Sequence, residues 1–162
     1  MSRTELMLGQ ENITSLMGKN VLIIGLGGVG GICAEMIARA GVGKMTIVDN
    51  DTIDLSNINR QIPALHSTAG KSKAQILGAR LKDINPALDL TILEIFIKEE
   101  LTRDLLDSTK WDYVVDCIDT LSAKTFLIKG CIDRNLPIVS SMGAGGKVDP
   151  SQIKVTDISK TY

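Results

Sequence analysis

The stretch that decides the fold is "VLIIGLGGVGG", residues 21–31, in which a short apolar run leads directly into five glycines. An apolar run of this length that ends at glycine predicts a buried central strand. Apolar residues then recur at helical spacing up to Gly41, which is predicted to end the helix: Val29, Ile32, Cys33, Met36, Ile37 and Ala40. A strand, a glycine-rich turn and a helix in this order form the context in which Gly-x-Gly-x-x-Gly binds nucleotides.

The glycines of this turn have different expected tasks. Gly25 permits the tight turn, Gly27 permits close approach of a phosphate, and Gly30 permits close packing of helix on strand. The free N–H groups at the start of the helix favour an anion. Asp49 ends the next predicted strand, near the usual offset for an acid that binds ribose hydroxyls. Together these features favour nucleotide binding over glycines that only allow tight packing, but they do not separate an NAD-dependent dehydrogenase from an ATP-using enzyme.

The rest of the chain alternates between short apolar runs and amphipathic segments. Residues 4–17 predict one or two short helices. Further helices are predicted at residues 69–84, 99–107 and 122–134, and further strands at 45–48, 90–95, 113–116, 137–140 and 153–156. This alternation predicts an α/β fold, namely a Rossmann-like doubly wound, mostly parallel sheet with helices on both faces. A glycine-rich turn is expected at residues 143–146.

Composition narrows the class of protein. The chain has 162 residues, 44% of them hydrophobic and only 3% aromatic, which predicts one domain with an aliphatic core. Its net charge of −1 shows no basic footprint of a stand-alone nucleic-acid binder. Three isolated cysteines, Cys33, Cys117 and Cys131, fit reduced, buried thiols in a cytoplasmic protein. No apolar stretch approaches the roughly 20 residues of a membrane span.

The polar loop after the second strand narrows the choice of ligand. It reads "DNDTIDLSNINRQ" over residues 49–61 and is followed by "GKSK" at residues 70–73. A triphosphate needs cations to bind it, and Arg60 and Lys73 supply them, with Asn57 as a neutral donor. Singly, the two cations are usual surface residues and Asn57 is a usual turn or cap residue. As an ordered set they favour ATP.

This set closely resembles the ThiF/MoeB/HesA family of adenylating enzymes, which are related to ubiquitin-activating enzymes. The resemblance implies a ribose contact for Asp49 and phosphate contacts for Asn57, Arg60 and Lys73. Asp51 and Gln61 lie in the same blocks and are assigned to the nucleotide site. The resemblance is carried by Gly25-x-Gly27-Gly28-x-Gly30, Asp49-x-Asp51, Ser56-Asn57-x-x-Arg60-Gln61 and Gly70-x-x-Lys73.

The segment "VVDCIDT" ends a predicted strand and places Asp116 and Asp119 at its carboxyl end, where α/β sheets bind ligands. The resemblance assigns Asp119 to Mg²⁺, which one carboxylate plus phosphates and water can hold. Asp116 is either a second site residue or a structural one. Arg3 resembles an arginine that reaches the neighbouring subunit's nucleotide site in homodimeric members, although a frayed terminal charge explains it equally well.

Three segments resemble the branch of the family that dehydrates threonylcarbamoyladenosine in tRNA: residues 3–11, 119–124 and 142–161. This resemblance implies an ATP-dependent enzyme that activates a carboxylate as an acyl-adenylate, with Mg²⁺, a tRNA substrate and a homodimeric state. Asp119, Arg60, Lys73 and Arg3 are its implied catalytic residues. We expect residues 1–18 to form an N-terminal helical segment and residues 19–162 an ATP-binding Rossmann-like adenylation domain, truncated at its C-terminus.

Three alternatives remain open from the sequence. The first is MoeB- or ThiF-like adenylation of a ubiquitin-like sulfur carrier, which uses the same site with another acceptor. The second is an NAD-dependent oxidoreductase, which shares the glycine turn. The third is a nucleotide-binding module without catalytic activity. Neither zinc nor a thioester-forming cysteine is supported, because the three cysteines form no Cys-x-x-Cys pair.

Overall fold

One parallel sheet of five strands forms the centre of the computed structural model, which describes residues 2–143, 145–146 and 148–160. The strand order is β3-β2-β1-β4-β5, so β2 and β3 lie on one side of β1 and β4 and β5 lie on the other. This order confirms the predicted Rossmann-like doubly wound fold, with every strand pair parallel. The strands are β1 (Asn20–Ile24), β2 (Lys44–Val48), β3 (Asp89–Leu93), β4 (Tyr113–Asp116) and β5 (Ile138–Ser140).

Helices cover both faces of the sheet. Successive residues of β1 point to opposite faces, as the two-residue period of a strand requires. Ile23 therefore packs in a core with residues of α3 and α4, whereas Leu22 and Ile24 pack in a second core with residues of α5 and α6. The helices are α1 (Ser2–Leu8), α2 (Gln10–Met17), α3 (Gly30–Ala40), α4 (Lys73–Ile84), α5 (Glu99–Asp107) and α6 (Leu121–Asp133).

The N-terminal helices α1 and α2 lie where the sequence predicts short helices. Ile13 of α2 is buried, and Leu16 packs against the core on the α3 side of the sheet. Leu6 and Met7 of α1 are 86% and 80% exposed. No helix in the described part of the chain is long and apolar enough to cross a membrane.

Helix α4 begins at Lys73 and not at residue 69 as its apolar pattern predicts. The reason is a pair of long-range backbone hydrogen bonds: the Gly70 N–H donates to the Ile53 carbonyl, and the Ile53 N–H donates to the Lys71 carbonyl. These bonds hold residues 70–71 out of a helical conformation. The Ser72 hydroxyl then caps the helix by accepting the Gln75 N–H at 3.3 Å.

The prediction of a strand at residues 153–156 is wrong. This segment forms no strand, and its Ile153 and Val155 side chains are 74% and 97% exposed. Short 3₁₀ helices at Pro150–Gln152 and Ile158–Lys160 lie on either side of it. Alternating β-branched residues predict a strand only if a neighbouring strand pairs with them, and none does so among the described residues. The predicted turn at residues 143–146 includes residue 144, which lies outside the described residues.

Candidate active site

The turn between β1 and α3 is built around two glycines that no other residue can replace without a backbone shift. Gly25 has a φ of +87°, and an added Cβ would lie 2.6 Å from the Cys117 carbonyl oxygen. An added Cβ on Gly30 would overlap the Gly25 carbonyl oxygen. Gly27 lines a cleft beside this turn, and Gly28 faces the backbone carbonyl of Arg60. The turn therefore brings the start of α3 close to any group in the cleft.

The cleft lies at the carboxyl ends of the central strands, which is where a doubly wound sheet binds its ligands. Its polar wall follows β1 and β2, and its apolar wall contains Ile95, Phe96 and Ile97, which follow β3. Loop residues after β4 close the third side. The lining residues are Ile24, Gly25, Gly27, Val48, Asp49, Asn50, Asp51, Gln61, Lys73, Ile95, Phe96, Ile97, Cys117, Ile118, Asp119, Thr120 and Ala123.

Asp49 follows β2 and connects two loops of the cleft. Its Oδ2 accepts the Leu26 N–H at 2.7 Å, and its Oδ1 accepts the Asp51 N–H at 2.8 Å. Each carboxylate oxygen has a further lone pair, so the side chain can still accept a hydrogen bond from a ligand hydroxyl.

Lys73 is the buried cation of the cleft. It is the first residue of α4, and its Nζ lies 2.8 Å from Asp51 Oδ2. The lysine side chain is 8% exposed, whereas the aspartate side chain is 59% exposed. Solvent can therefore stabilise the Asp51 carboxylate if the lysine turns to an incoming anion.

Gln61 is buried next to the glycine turn. Its Nε2 would lie 3.7 Å from a Cβ added to Gly27, and both residues line the cleft. Its Oε1 is buried and has no hydrogen-bond partner within the described residues. A buried amide oxygen without a donor is unfavourable, so the structure leaves this acceptor available to a ligand or water.

Asp119 and Asp116, which the sequence could not distinguish, lie in different environments. Asp119 is exposed and lines the cleft, where its Oδ1 accepts the Thr120 hydroxyl at 3.3 Å. Asp116 is completely buried and does not line the cleft. Its Oδ2 forms an ion pair of 2.6 Å with Lys124. The structural interpretation of Asp116 is therefore the correct one.

Arg60 and Asn57 do not line the cleft in this structure. The exposed Arg60 side chain folds back along its own loop, where its Nη1 donates to the Ser56 carbonyl at 3.0 Å and to Asn59 Oδ1 at 2.9 Å. Asn57 is buried, and its Oδ1 accepts the Asp54 N–H at 3.2 Å in a capping box. Both residues thus make the ordinary loop and helix-cap contacts that the sequence analysis gave as the alternative to phosphate binding.

Arg3 lies on α1, is exposed, and does not line the cleft of its own chain. The expected contact of Arg3 with a nucleotide site would therefore be made with a neighbouring subunit and not within its own chain.

Two cysteines meet beside the cleft. Cys33 of α3 and Cys117, which lines the cleft, are hydrogen-bonded through their side chains. Donation from the Cys117 thiol lowers the pKa of Cys33 to about 7. The same bond, together with burial, raises the pKa of Cys117. Both thiols are half-buried, whereas Cys131 is buried. The pair is not predicted by the sequence analysis.

Sequence reasoning also missed Phe96 and Lys124. Phe96 lies between two isoleucines that pack in the core, yet its own side chain is 51% exposed at the cleft. A large aromatic residue on the outer position of an alternating run, in a chain with two phenylalanines, was the available signal. Lys124 is buried, and its one signal in the sequence was its place in the segment 119–124.

The comparison with known proteins decides the family. The sequence model of the ThiF family matches residues 2–162 of this chain. The chain belongs to the ThiF family. The resemblance found in the motifs is therefore confirmed, and the glycine turn, Asp49, Lys73 and Asp119 occupy the cleft of a ThiF-family fold.

Two curated relatives of this ThiF-family chain differ in their acceptors. The tRNA threonylcarbamoyladenosine dehydratase of Bacillus subtilis is 44% identical over 161 residues, which cover 99% of this chain and 63% of the relative. The sulfur carrier protein ThiS adenylyltransferase of Escherichia coli is 35% identical over 135 residues, which cover 82% of this chain and 53% of the relative.

A solved structure gives the same result for the fold. The crystal structure of the E. coli tRNA N6-threonylcarbamoyladenosine dehydratase TcdA in complex with ATP matches with a TM-score of 0.94 at 36% identity. The match covers 99% of this chain and 65% of TcdA. The ThiF-family chain thus spans slightly less than two thirds of the length of these two dehydratases.

Proposed function

We propose that this chain is the ATP-binding, adenylating part of a tRNA threonylcarbamoyladenosine dehydratase. Residues 1–18 are its N-terminal helical segment and residues 19–162 its adenylation domain. The observation that carries the proposal is the convergence of the glycine turn, Asp49, Lys73 and Asp119 on one cleft. The similarity to the B. subtilis dehydratase over 99% of the chain supports this choice of branch.

We propose one orientation for the nucleotide in the cleft. The ribose hydroxyls donate to the free lone pairs of Asp49, and the phosphates lie against the glycine turn and the start of α3. Lys73 neutralises phosphate charge by leaving Asp51. The adenine base lies against the apolar wall that contains Phe96, since an aromatic face and a purine stack favourably.

Arg60 and Asn57 complete this proposal as phosphate contacts. Among the described residues, the Arg60 guanidinium bonds to Ser56 and Asn59 of its own exposed loop. These are exposed contacts, so a rotation of the side chain towards a triphosphate exchanges them for stronger charge-assisted bonds. Asn57 and Gln61 contribute neutral groups near the same turn, and Gln61 is already at the cleft.

The reaction activates a carboxylate. A carboxylate oxygen of the substrate attacks the α-phosphorus of ATP, and the bond to the β-phosphate oxygen breaks, which gives an acyl-adenylate and pyrophosphate. An internal nucleophile of the threonylcarbamoyl group then attacks the activated carbonyl carbon, closes a ring and expels AMP. The substrate loses one water overall. Lys73 and Arg60 stabilise the negative charge on the departing pyrophosphate, and the N–H groups of the glycine turn fix the α-phosphate.

Asp119 fits a Mg²⁺ ion that is held partly by the nucleotide. Within the described residues, no cluster of three His, Cys, Asp or Glu side chains could hold a metal ion by itself. A single exposed carboxylate at the cleft suits Mg²⁺, which binds proteins through one or two carboxylates and takes its other ligands from phosphates and water. Bound there, Mg²⁺ would supply positive charge to phosphate oxygens, in addition to the charge of Lys73, in a cleft whose acidic groups are the carboxylates of Asp49, Asp51 and Asp119.

We also propose that the protein acts on tRNA as a homodimer. Apolar side chains on α1 and α3 are exposed, including Leu6, Met7, Ile32 and Met36. Exposed apolar side chains on a surface helix favour an interface, and we propose that α1 and α3 each contribute to it. Arg3 lies on α1, so a dimer that forms through this helix would bring Arg3 to the subunit interface.

The second candidate is adenylation of a ubiquitin-like sulfur carrier. Its support is the 35% identity to the E. coli ThiS adenylyltransferase, which covers 82% of this chain. Both candidates use the same ATP chemistry and differ in the carboxylate that is activated. An NAD-dependent oxidoreductase has less support, because it needs neither Lys73 nor Asp119.

The test is AMP release with three acceptors: tRNA that carries threonylcarbamoyladenosine, the same tRNA without the modification, and a sulfur carrier protein. We expect AMP only with the modified tRNA. Pyrophosphate release that requires the carrier would support the second candidate, because adenylation of the carrier releases pyrophosphate and leaves AMP attached to the carrier. Calorimetric titrations with ATP plus Mg²⁺ and with NAD test the ligand itself, and tight binding of NAD without binding of ATP would overturn the proposal. Sedimentation analysis tests the dimer.

A further inference from the structure

A buried ion pair lies directly behind the loop that carries Asp119. Lys124 of α6 places its Nζ 2.6 Å from Asp116 Oδ2, 3.2 Å from Ser140 Oγ and 3.0 Å from the Ser141 carbonyl oxygen. The side chains of Lys124 and Asp116 are 7% and 0% exposed. One ammonium group therefore connects the ends of β4 and β5 with the first turns of α6.

Removing two charges from water is costly, so a buried pair of this kind is weak evidence for stability as such. Hydrogen bonds satisfy the pair well: the Ser140 hydroxyl donates to Asp116 Oδ2 at 2.6 Å, and the Ile118 N–H donates to Asp116 Oδ1 at 3.0 Å. The bond from the Ile118 N–H shapes the turn through which the chain leaves β4 and enters the cleft.

The turn after β4 has contacts on both sides. The Cys117 N–H donates to the Ile24 carbonyl at 2.8 Å, and the Cys117 carbonyl oxygen lies against Gly25. Cys117, Ile118 and Asp119 then all line the cleft. The direction in which Asp119 faces therefore depends on a turn whose Ile118 N–H is held by the Asp116 carboxylate.

We propose that Lys124 is a positioning residue for the nucleotide's metal ion. By fixing the Asp116 carboxylate, it holds the turn at residues 117–119 so that the Asp119 carboxylate faces the phosphates. Lys124 itself does not touch the nucleotide, because it does not line the cleft. The inference rests on the role of Asp119 in the proposed function, and the experiment below separates the two.

The variants are chosen to change the pair without leaving a buried charge. In Lys124→Met with Asp116→Leu both charges are absent, so the loss of one partner does not by itself unfold the protein. Lys124→Arg keeps a cation that can reach Asp116. Lys129→Met is the matched control, because Lys129 lies on the same helix in an exposed ion pair with Asp133. Asp119→Asn tests the metal ligand directly.

The measurement is the binding of ATP by titration calorimetry, first without divalent ions and then over a series of Mg²⁺ concentrations. We expect Asp119→Asn to raise the Mg²⁺ concentration needed for half of the affinity gain by about tenfold. We expect the double variant to raise it at least about threefold, with metal-free ATP affinity within about twofold of the native protein. We expect Lys124→Arg to displace the Mg²⁺ dependence in the same direction but by less than the double variant, because a guanidinium can reach Asp116 without keeping all three contacts of the ammonium group. Lys129→Met should keep the native Mg²⁺ dependence.

Each contrary result has a defined meaning. If Asp119→Asn leaves the Mg²⁺ dependence unchanged, the assignment of the metal to Asp119 is wrong, and the positioning role of Lys124 falls with it. If Asp119→Asn changes the dependence and the double variant does not, only the positioning role is overturned. It is also overturned if the double variant weakens metal-free and Mg²⁺-dependent binding equally, because that is the effect of a general structural defect.

Should the double variant not fold, the Lys124→Arg titration decides alone. A Mg²⁺ dependence displaced in the direction of Asp119→Asn supports the positioning role, and a native Mg²⁺ dependence opposes it.

Discussion

The carboxylate of Asp49, which follows β2, accepts a hydrogen bond of 2.7 Å from the Leu26 N–H inside the glycine turn. Its other oxygen accepts the Asp51 N–H at 2.8 Å. One side chain therefore connects the turn after β1 to the loop after β2, and both segments line the cleft. The acid that is expected to bind the ribose thus also holds the glycine turn that is expected to bind the phosphates, so the two parts of the proposed nucleotide site are connected by one side chain.

Replacement of Asp49 by Asn tests this connection. The amide can accept only one of the two backbone N–H groups and turns its own N–H₂ group towards the other. Because a hydrogen bond to a charged group contributes about 1.5–3 kcal/mol, we expect ATP affinity to fall at least about tenfold, as measured by calorimetry. Asp104→Asn, at an exposed position of α5, is the control and should bind ATP as the native protein does. Native affinity in Asp49→Asn would show that the carboxylate charge is not needed.

The buried cation of the cleft gives a second prediction. Lys73→Met keeps most of the aliphatic side chain and removes the charge that we propose binds the phosphates. We expect ATP affinity to fall about 10- to 100-fold, with little change in stability, because the Asp51 partner is 59% exposed and solvent replaces the lysine. Lys71→Met is a matched control two residues earlier, since Lys71 is exposed and does not line the cleft. Equal loss of affinity in both variants would contradict a specific role for Lys73.

The glycine turn can be tested through folding stability. A methyl group at Gly30 would overlap the Gly25 carbonyl oxygen, which is backbone and cannot move aside as a flexible side chain can. We expect Gly30→Ala to lower the free energy of unfolding by at least about 2 kcal/mol in urea titrations. Gly143→Ala, where an added Cβ has no atom within 4 Å, should leave it within about 0.5 kcal/mol. A stable Gly30→Ala protein would mean that the turn can relax.

The sequence predicts the centre of this fold well because the signals there are local. The run of β1, the glycine turn and the αL stop at Gly41 (φ +94°) each depend on a few adjacent residues. The start of α4 was not predictable, since backbone bonds to the distant Ile53 decide it. The sequence also predicted a strand at residues 153–156, with which no strand of the described part of the chain pairs.

The candidate site divides in the same way. Side chains at strand ends, such as Asp49 and Asp119, are found at the cleft because parallel strands bring their carboxyl ends together. The direction of Arg60 was not predictable, because two nearby acceptors, the Ser56 carbonyl and Asn59, hold it in this structure. The burial of Asp116 depends on Lys124, eight residues away on another element. Such pairings depend on tertiary packing and have no local sequence signature.

The pair of cysteines at the cleft predicts selective thiol chemistry. The thiolate is the reactive form, and the pKa of Cys33 is lowered to about 7, chiefly by the hydrogen bond from Cys117. Burial raises the pKa of Cys131 to about 11. We therefore expect iodoacetamide to modify Cys33 with a midpoint near pH 7 and to leave Cys131 unmodified at pH 8, as followed by mass spectrometry of peptides. In Cys117→Ala the donor is lost, and the midpoint of Cys33 should rise by at least about one pH unit. An unchanged midpoint would contradict the thiol–thiol bond.

A buried carboxylate between α3 and α4 predicts how stability changes with pH. Glu35 Oε2 accepts Arg80 Nε at 2.7 Å and Oε1 accepts Arg39 Nη2 at 2.7 Å. These bonds, the one from Arg80 foremost, lower the pKa of Glu35. Above the unfolded pKa of about 4.3, the folded and unfolded states are both ionised and the contribution to stability is complete; as the pH falls through the lower folded pKa, the carboxylate gains a proton and the contribution is lost.

Comparison of the native protein with Glu35→Gln isolates this contribution. Gln cannot ionise, so the native protein should have the higher melting temperature at pH 7, and the difference should shrink steadily between about pH 5 and pH 3. Glu100→Gln, at an exposed position of α5, should show a small difference that changes little over the same range. Because Arg39 and Arg80 are each about half exposed, added salt should reduce the difference at pH 7 as well. A difference that stays constant from pH 7 to pH 3 would mean that packing of the side chain, and not its charge, joins α3 to α4.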